Sequence, residues 1–239
     1  MKYIYSGRTD IGLEREVNQD SYGMAKLTWG SVFILADGFG HKEGGKFASQ
    51  TTVDMFIKNY SRENTKDIKR FLENTFDEIN KYIYYKKVSE YDKAMLGCTA
   101  VVLVIEGKTA HIAHLGDSRA YIIQEDHIQK LTTDHSYVQS LVEKGELLPE
   151  NAMYHSKRHV LIRALGSHRR ARIDYTTRSI ASGEKLMLCC DGVWGFVSQS
   201  KIEELLIHND SNHAAIKIID LVKKNSGTDN ITLQVISLI

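Results

Sequence analysis

Three apolar runs in this 239-residue chain end in an aspartate: FILADG at Asp37, HIAHLGDS at Asp117 and LMLCCDG at Asp191. A fourth segment, GTDNITLQVI, carries Asp229 near its start and runs straight into a strand-like stretch. A strand leading into Asp-Gly is ordinarily only a turn, because both residues tolerate the backbone angles of a reversal. Several strands that each bear a carboxylate at one end pose a different problem. If those ends converge, the acids repel one another unless positive charge lies among them. A divalent metal is the simplest source of that charge, so the pattern marks a candidate metal-dependent hydrolase.

Five short constellations carry the reactive residue types. They are Arg15-x-x-Asn18-Gln19-Asp20, Ala36-Asp37-Gly38-Phe39-Gly40, Gly116-Asp117-Ser118-Arg119, Cys190-Asp191-Gly192-Val193-Trp194-Gly195 and Asp229-Asn230-Ile231-Thr232. In the second, glycines allow close backbone approach and leave the Gly38 carbonyl as an oxygen donor. Taken singly, each reads as a solvated turn.

The elements that must position them follow from periodicity. Short strands are expected at about 3–8, 20–26 and 31–36, then a helix from about Gly45 to Tyr60 and a second over about 65–87. The second carries Ile68, Phe71, Leu72, Phe76, Ile79, Tyr82 and Ile83, a helical spacing that reads as core packing. Strands are expected at 98–106, 109–115, 119–124 and 127–131, and again near 160–165, 172–179 and 184–190. Helices at about 199–208 and 212–225 precede a last strand over 230–238. Between lies an insert at about 136–160, a helix followed by an irregular polar stretch with the chain's only proline, Pro149. Short turns such as Glu106-Gly107-Lys108 favour antiparallel pairing, and strands that outnumber helices point to an α+β layered fold rather than a doubly wound sheet.

Bulk composition narrows the function class. The apolar fraction of 42% and charged fraction of 26% are those of a globular protein, and nothing marks an internal domain boundary. A net charge of +1 argues against a nucleic-acid or acidic-membrane protein. The balance is uneven, however. Residues 155–172 hold six cations, three histidines and no acid, leaving the rest of the chain at −5. That segment reads either as a solvated face or as a docking surface for an acidic phosphoprotein, and its HVLIRALG portion as a buried strand. Cys98, Cys189 and Cys190 sit in strand-like runs and form no disulfide framework. With no apolar N-terminal core and no run near the roughly 18 apolar residues of a membrane span, the expected setting is a reducing cytoplasm, with a monomer as the default.

In this order, the five constellations resemble the metal-dependent Ser/Thr protein phosphatases (the PPM or type 2C family) in their small bacterial form. Gly97-Cys98-Thr99-Ala100, Thr133-Asp134-His135-Ser136 and Arg163-Ala164-Leu165-Gly166 extend the likeness over essentially the whole chain. The resemblance implies one catalytic domain over 1–239, a four-layer αββα sandwich of two antiparallel sheets flanked by helices. It implies that Asp37 bridges two metal ions, Asp191 and Asp229 complete one site, and the Gly38 carbonyl and Asp20 serve the other. Asp117 would join Asp191 at a third, weaker site, Arg15 would grip the substrate phosphate, and the insert would be a mobile flap. All these donors are hard oxygens, which select Mg²⁺ or Mn²⁺ over Zn²⁺.

Two departures stand out. Gln19 replaces a common Glu, leaving Asp20 as the first motif's carboxylate. Phe39 stands where eukaryotic members carry a His proposed as general acid, and bacterial members commonly a Met. Nearby His41 is either a catalytic or substrate-contacting group or an ordinary loop histidine. The implied substrates are phosphoserine and phosphothreonine proteins, with a cognate Ser/Thr kinase or a sigma-factor antagonist system upstream. A pseudophosphatase would be expected to lack at least one of these carboxylates, and all are present. Small phosphate esters are the other enzymatic reading.

Overall fold

The structure, a computed structural model, describes residues 1–41, 43–62, 67–90 and 96–239. The chain opens with β1 (Tyr3–Asp10), β2 (Ser21–Lys26), β3 (Gly30–Ala36) and β4 (Gly38–Gly40), followed by helices α1 (Gly44–Arg62) and α2 (Ile68–Glu90). Then come β5 (Leu96–Cys98), β6 (Ala100–Glu106), β7 (Thr109–Leu115), β8 (Arg119–Gln124) and β9 (His127–Lys130). The insert contains α3 (Tyr137–Glu143) and a 3₁₀ turn (Pro149–Tyr154). The last third holds β10 (Asp174–Ser179), β11 (Lys185–Cys189), α4 (Asp191–Trp194), α5 (Gln199–Ile207), α6 (Ser211–Lys224) and β12 (Ile231–Leu238).

Two five-stranded antiparallel sheets result, ordered β1-β12-β11-β8-β9 and β10-β7-β6-β3-β2, with β4 and β5 as a small separate pair. The alternation of side chains along a strand explains the layers. Phe33 and Leu35 of β3, with Val101 and Leu103 of β6, join the core shared with the other sheet. Their neighbours Val32, Ile34, Val102 and Val104 face the other way, onto Val53 and Phe56 of α1 and Phe76 and Ile79 of α2. Helices α5 and α6 cover the second sheet through Ile202, Leu206, Ile218 and Val222. The expected four-layer αββα sandwich is the fold. Gln234 is the polar exception: its side-chain amide reaches across the sheets to the Ile34 carbonyl.

Two expectations are corrected, and the start of a third element lies partly outside the described residues. No strand covers 160–165. That run makes only two isolated bridges, Ser136 to Leu161 and Cys98 to Leu165, while Val160 and Ile162 stand 47% and 44% exposed. Only Ala164 and Leu165 are buried, so the apolar run is anchored at its end instead of paired along its length. The stretch read as one strand over 98–106 is two, broken at Thr99, whose amide donates to the Asp37 carbonyl at 2.8 Å. Helix α2 begins at Ile68, and the expected positions 65 and 66 lie outside the described residues.

The β8–β9 hairpin turns on two non-glycine residues in the left-handed region, Glu125 (φ 49°) and Asp126 (φ 59°). A two-residue loop with both angles positive is a type I′ turn, which Asn-Gly fits best, because the short Asn side chain tolerates the left-handed region and Gly has no Cβ to clash. The double variant Glu125→Asn, Asp126→Gly is expected to gain ~1 kcal/mol. That gain is read as a higher urea midpoint at unchanged slope.

Candidate active site

The carboxylates named from the sequence are delivered by ends of strands in both sheets. Asp37 joins β3 to β4, Asp117 follows β7, Asp191 opens α4 after β11, and Asp229 precedes β12. Asp20 precedes β2, its amide held by the Asn18 side chain at 3.0 Å. Asp20 and Asp117 are buried, at 2% and 4% exposure, and the other three are half-buried. A ligand oxygen from Asp20, one from Asp37 and the Cys190 sulfur lie within 4.8 Å of one another.

Crowding shows in the proton affinities. Burial is the first cause raising Asp37 well above the carboxylate range, and the charges of Asp20, Asp191, Asp117 and Asp229 add to it. Asp20 is pushed up to about 7 by burial, with Thr232 and Cys190 hydrogen bonds opposing and Asp191 and Asp229 reinforcing. Asp117 is raised by burial, then by Asp191. One buried oxygen of Asp20, Oδ2, has no hydrogen-bond partner. A buried carboxylate oxygen without a partner in a cluster of five acids is a cation-shaped deficit.

The backbone around this cluster is tight. A Cβ on Gly38 would run into the carbonyls of Gly45 and Gln19, so the β4 strand, the first turn of α1 and the Asp20 loop meet only because this residue is glycine. Asn230 ties three segments together: its oxygen accepts from the Gln19 amide at 2.8 Å, and its nitrogen donates to the Ile11 and Val17 carbonyls. Trp194 donates to the Asp117 carbonyl at 3.0 Å, and the Arg119 guanidinium lies 3.5 Å from the Trp194 ring centre. Arg119 is gripped in turn by buried Asp134. His135, buried, accepts from the Gly116 amide at 3.1 Å, beside Asp117.

Two further residues named from the sequence make contacts of their own. Arg15 sits at the cluster's mouth, but it forks onto Asp229, with Nε and Nη2 each donating at 2.9 Å. His41 is exposed just before α1 and contributes its carbonyl to the Gly44 amide. No described contact joins its ring to the acids. The Phe39 ring packs against Gly97.

The sequence placed Cys190, Asn230 and Thr232 within the motifs but assigned no role to them or to His159. Cys190 reads as a strand residue, yet its sulfur contacts the Asn230 carbonyl and accepts from the Thr232 amide. Burial and the neighbouring acids push its thiol far up, so in the metal-free chain it stays neutral. His159, at the end of the insert, comes within 3.8 Å of Asp191. Adjacency to Asp191 and Asp229 was the only sequence signal for Cys190 and Asn230; His159 had none.

Residues 16–144 match the family model described as protein phosphatase 2C. The chain belongs to the protein phosphatase 2C family. The serine/threonine phosphatase stp of Listeria innocua is 33% identical, covering 95% of this chain and 92% of that protein. The S. agalactiae serine/threonine phosphatase structure superposes with a TM-score of 0.94 at 28% identity, covering all of both chains. A structure of the PstP catalytic domain in complex with two manganese ions superposes at 0.87, 29% identical, covering 99% and 98%.

For a phosphatase 2C protein the acid cluster fits a pair of hard divalent ions. Its donors are oxygens, one of them is unpartnered, and the repulsion is of the kind that cations relieve. Between about pH 4 and pH 7 the folded, metal-free chain keeps a proton on Asp20 that the unfolded chain has released, so this group's contribution to stability falls as pH rises. Asp37, raised for the same reason, extends the effect upward. Neutral buried His135, lowered to about 4, has the opposite slope between that value and the ordinary histidine range, so a comparison of variants isolates the acids. In metal-stripped protein at pH 8, Asp37→Asn is expected to melt about 2–4 °C higher than the parent, a shift on the order of 1 kcal/mol for this size. The gap should close toward pH 5. Added Mn²⁺ should raise the melting temperature of the parent more than that of the variant.

Proposed function

We infer that this chain removes phosphate from phosphoserine and phosphothreonine in proteins, and that Asp37 lies at the centre of its two-ion site. The observation that carries the assignment is the unpartnered buried oxygen of Asp20 inside a convergence of five aspartates, in a chain of the phosphatase 2C family. Asp37 would bridge the ions, Asp191 and Asp229 would complete one shell, and Asp20 with the Gly38 carbonyl would serve the other. Asp117 and Asp191 would hold a third, weaker ion. Mg²⁺ is expected to substitute for Mn²⁺, because both accept an all-oxygen donor set. What the bound pair supplies is an acidified attacking water and positive charge against the phosphate.

The chain's own residues supply positioning. Arg15 forks onto Asp229, and a cation taking that carboxylate would free its planar guanidinium for two phosphate oxygens. Its exposure at the mouth suits a substrate that is part of a larger protein. The insert over 136–160 flanks this mouth through His159 and presents Leu148, Met153 and Tyr154 to solvent, at 55% exposure or more. Such an apolar edge suits recognition of a polypeptide around the phosphoresidue. The domain over 1–239 would act as one catalytic unit, in the cytoplasm, opposing a Ser/Thr kinase. Among the described residues no helix is long and apolar enough to cross a membrane.

The test is hydrolysis of a phosphothreonine peptide by metal-stripped protein with Mn²⁺ or Mg²⁺ restored. Asp37→Asn should abolish turnover. Arg15→Ala should lower kcat/KM by about 10²-fold, and Arg15→Lys should recover only part, lacking the fork. Turnover that survives Asp37→Asn, or needs no metal, would overturn the assignment.

A further inference from the structure

Beyond the acid cluster, the strongest unexplained feature is a cleft of about 530 Å³ beside the insert. Its floor is Leu115, Ile162 and Ala164, and its wall carries Arg163, Arg169, Arg170 and Arg172. Four arginines around an apolar floor are costly to gather, since like charges repel unless an anion joins them. Arg163 is committed: it donates to Asp174 at 2.8 Å. Arg169, Arg170 and Arg172 are exposed and enter no ion pair among the described residues.

The nearest acids do not neutralise them. Glu73 and Asp77 of α2 border the adjoining hollow with these same arginines, but each pairs with a lysine of its own helix, Lys69 at 3.8 Å and Lys81 at 2.6 Å. The local excess therefore remains, although the whole chain carries only +1. The apolar floor separates this cleft from a purely solvated charge run: Ile162 is large, aliphatic and 44% exposed within it. A partner that satisfies both features is anionic and carries an aliphatic side chain.

The cleft is also near the chemistry. Leu115 lies two residues before Asp117, and His159, three residues before Ile162, approaches Asp191. Three residues span at most about 11 Å of extended chain. One extended peptide can therefore occupy both places.

We propose that the arginine-walled cleft docks an acidic segment of the phosphoprotein substrate, one containing an aliphatic residue, roughly four to eight residues from the phosphoresidue. This rests on the phosphatase assignment, and the same cleft would favour acidic substrates over neutral ones mainly through KM. The pairing is electrostatic at an exposed rim, so it weakens as salt shortens the screening length.

Two measurements test it. In the first, a fluorescein-labelled, unphosphorylated Glu/Asp-rich peptide containing leucine is titrated by anisotropy, which needs no turnover. Binding should exceed that of the Gln/Asn version and fall about tenfold in Arg169→Glu, Arg170→Glu, Arg172→Glu, a variant of exposed side chains whose folding is checked by melting. In the second, kcat/KM for an acidic phosphothreonine peptide should fall about tenfold in that variant through KM, while a neutral phosphothreonine peptide is hydrolysed as before. Equal binding of acidic and neutral peptides, or equal binding by parent and variant, overturns the proposal. So does arginine-dependent capture of a single-stranded oligonucleotide or phosphatidylglycerol vesicles in preference to the peptide. Failure of both phosphopeptides to turn over while the acidic peptide still binds would count against the phosphatase assignment and not against the cleft.

Discussion

Carboxylate repulsion is the constraint around which the molecule is organised. Asp20, Asp37, Asp117, Asp191 and Asp229 are brought together, burial makes the charges of Asp20, Asp37 and Asp117 more expensive, and among the described residues no buried cation pairs with the five. Arg15 hydrogen-bonds to Asp229 from the exposed side, and its charge also reaches Asp191 and Asp37. A cluster of this kind persists only if the surrounding structure over-determines it. Here the determinants are two antiparallel sheets with a continuous apolar core between them and a helical layer outside each. The stability forgone at the acids is offset by that core.

A ring of neutral and paired groups fixes the loops that carry the acids. Asn230 bonds to Gln19, Ile11 and Val17, so the loops around Asp20 and Asp229 cannot move independently. Trp194 links the helix begun by Asp191 to the Asp117 turn, and Asp134 fixes the arginine stacked on that indole. His135 holds the Gly116 amide from the opposite side, with His114 stacked at 4.6 Å. These residues hold the acid-bearing loops in place, as supporting hydrogen bonds do around metal sites generally.

Chemistry and recognition occupy different kinds of structure. The acids sit at rigid strand ends, whereas the insert is built from one short helix, a 3₁₀ turn and exposed apolar side chains. The arginine cleft begins where the insert rejoins the sheet. Its cations come from a loop that pairs with little else, so that surface can vary without disturbing the loops that carry the acids. This division is common in enzymes that place binding residues on loops above a fixed scaffold.

Periodicity and short turns in the sequence by themselves determined an α+β layered fold, because period-two strands with buried faces and helices of matching apolar stripes have few other packings, and the likeness of the motifs supplied the four-layer αββα order. The sequence also singled out Asp37, Asp117 and Asp191, since an acid at the end of an apolar run is conspicuous in any chain, and Asp229 at the start of one, while Asp20 stood out only through the likeness of its motif. Only the tertiary structure decided that HVLIRALG is an anchored loop, because its apolar pattern resembles a strand's and only the placement of β5 and β10 leaves it unpaired. The same holds for Arg15, whose guanidinium reaches a carboxylate 214 positions away. Asn230 and Cys190 became structural parts of the site through contacts between segments far apart in the chain, and His159 through its approach to Asp191. Local pattern records what a residue can do and which face it occupies; which distant groups it meets is set by packing, and no local pattern encodes that.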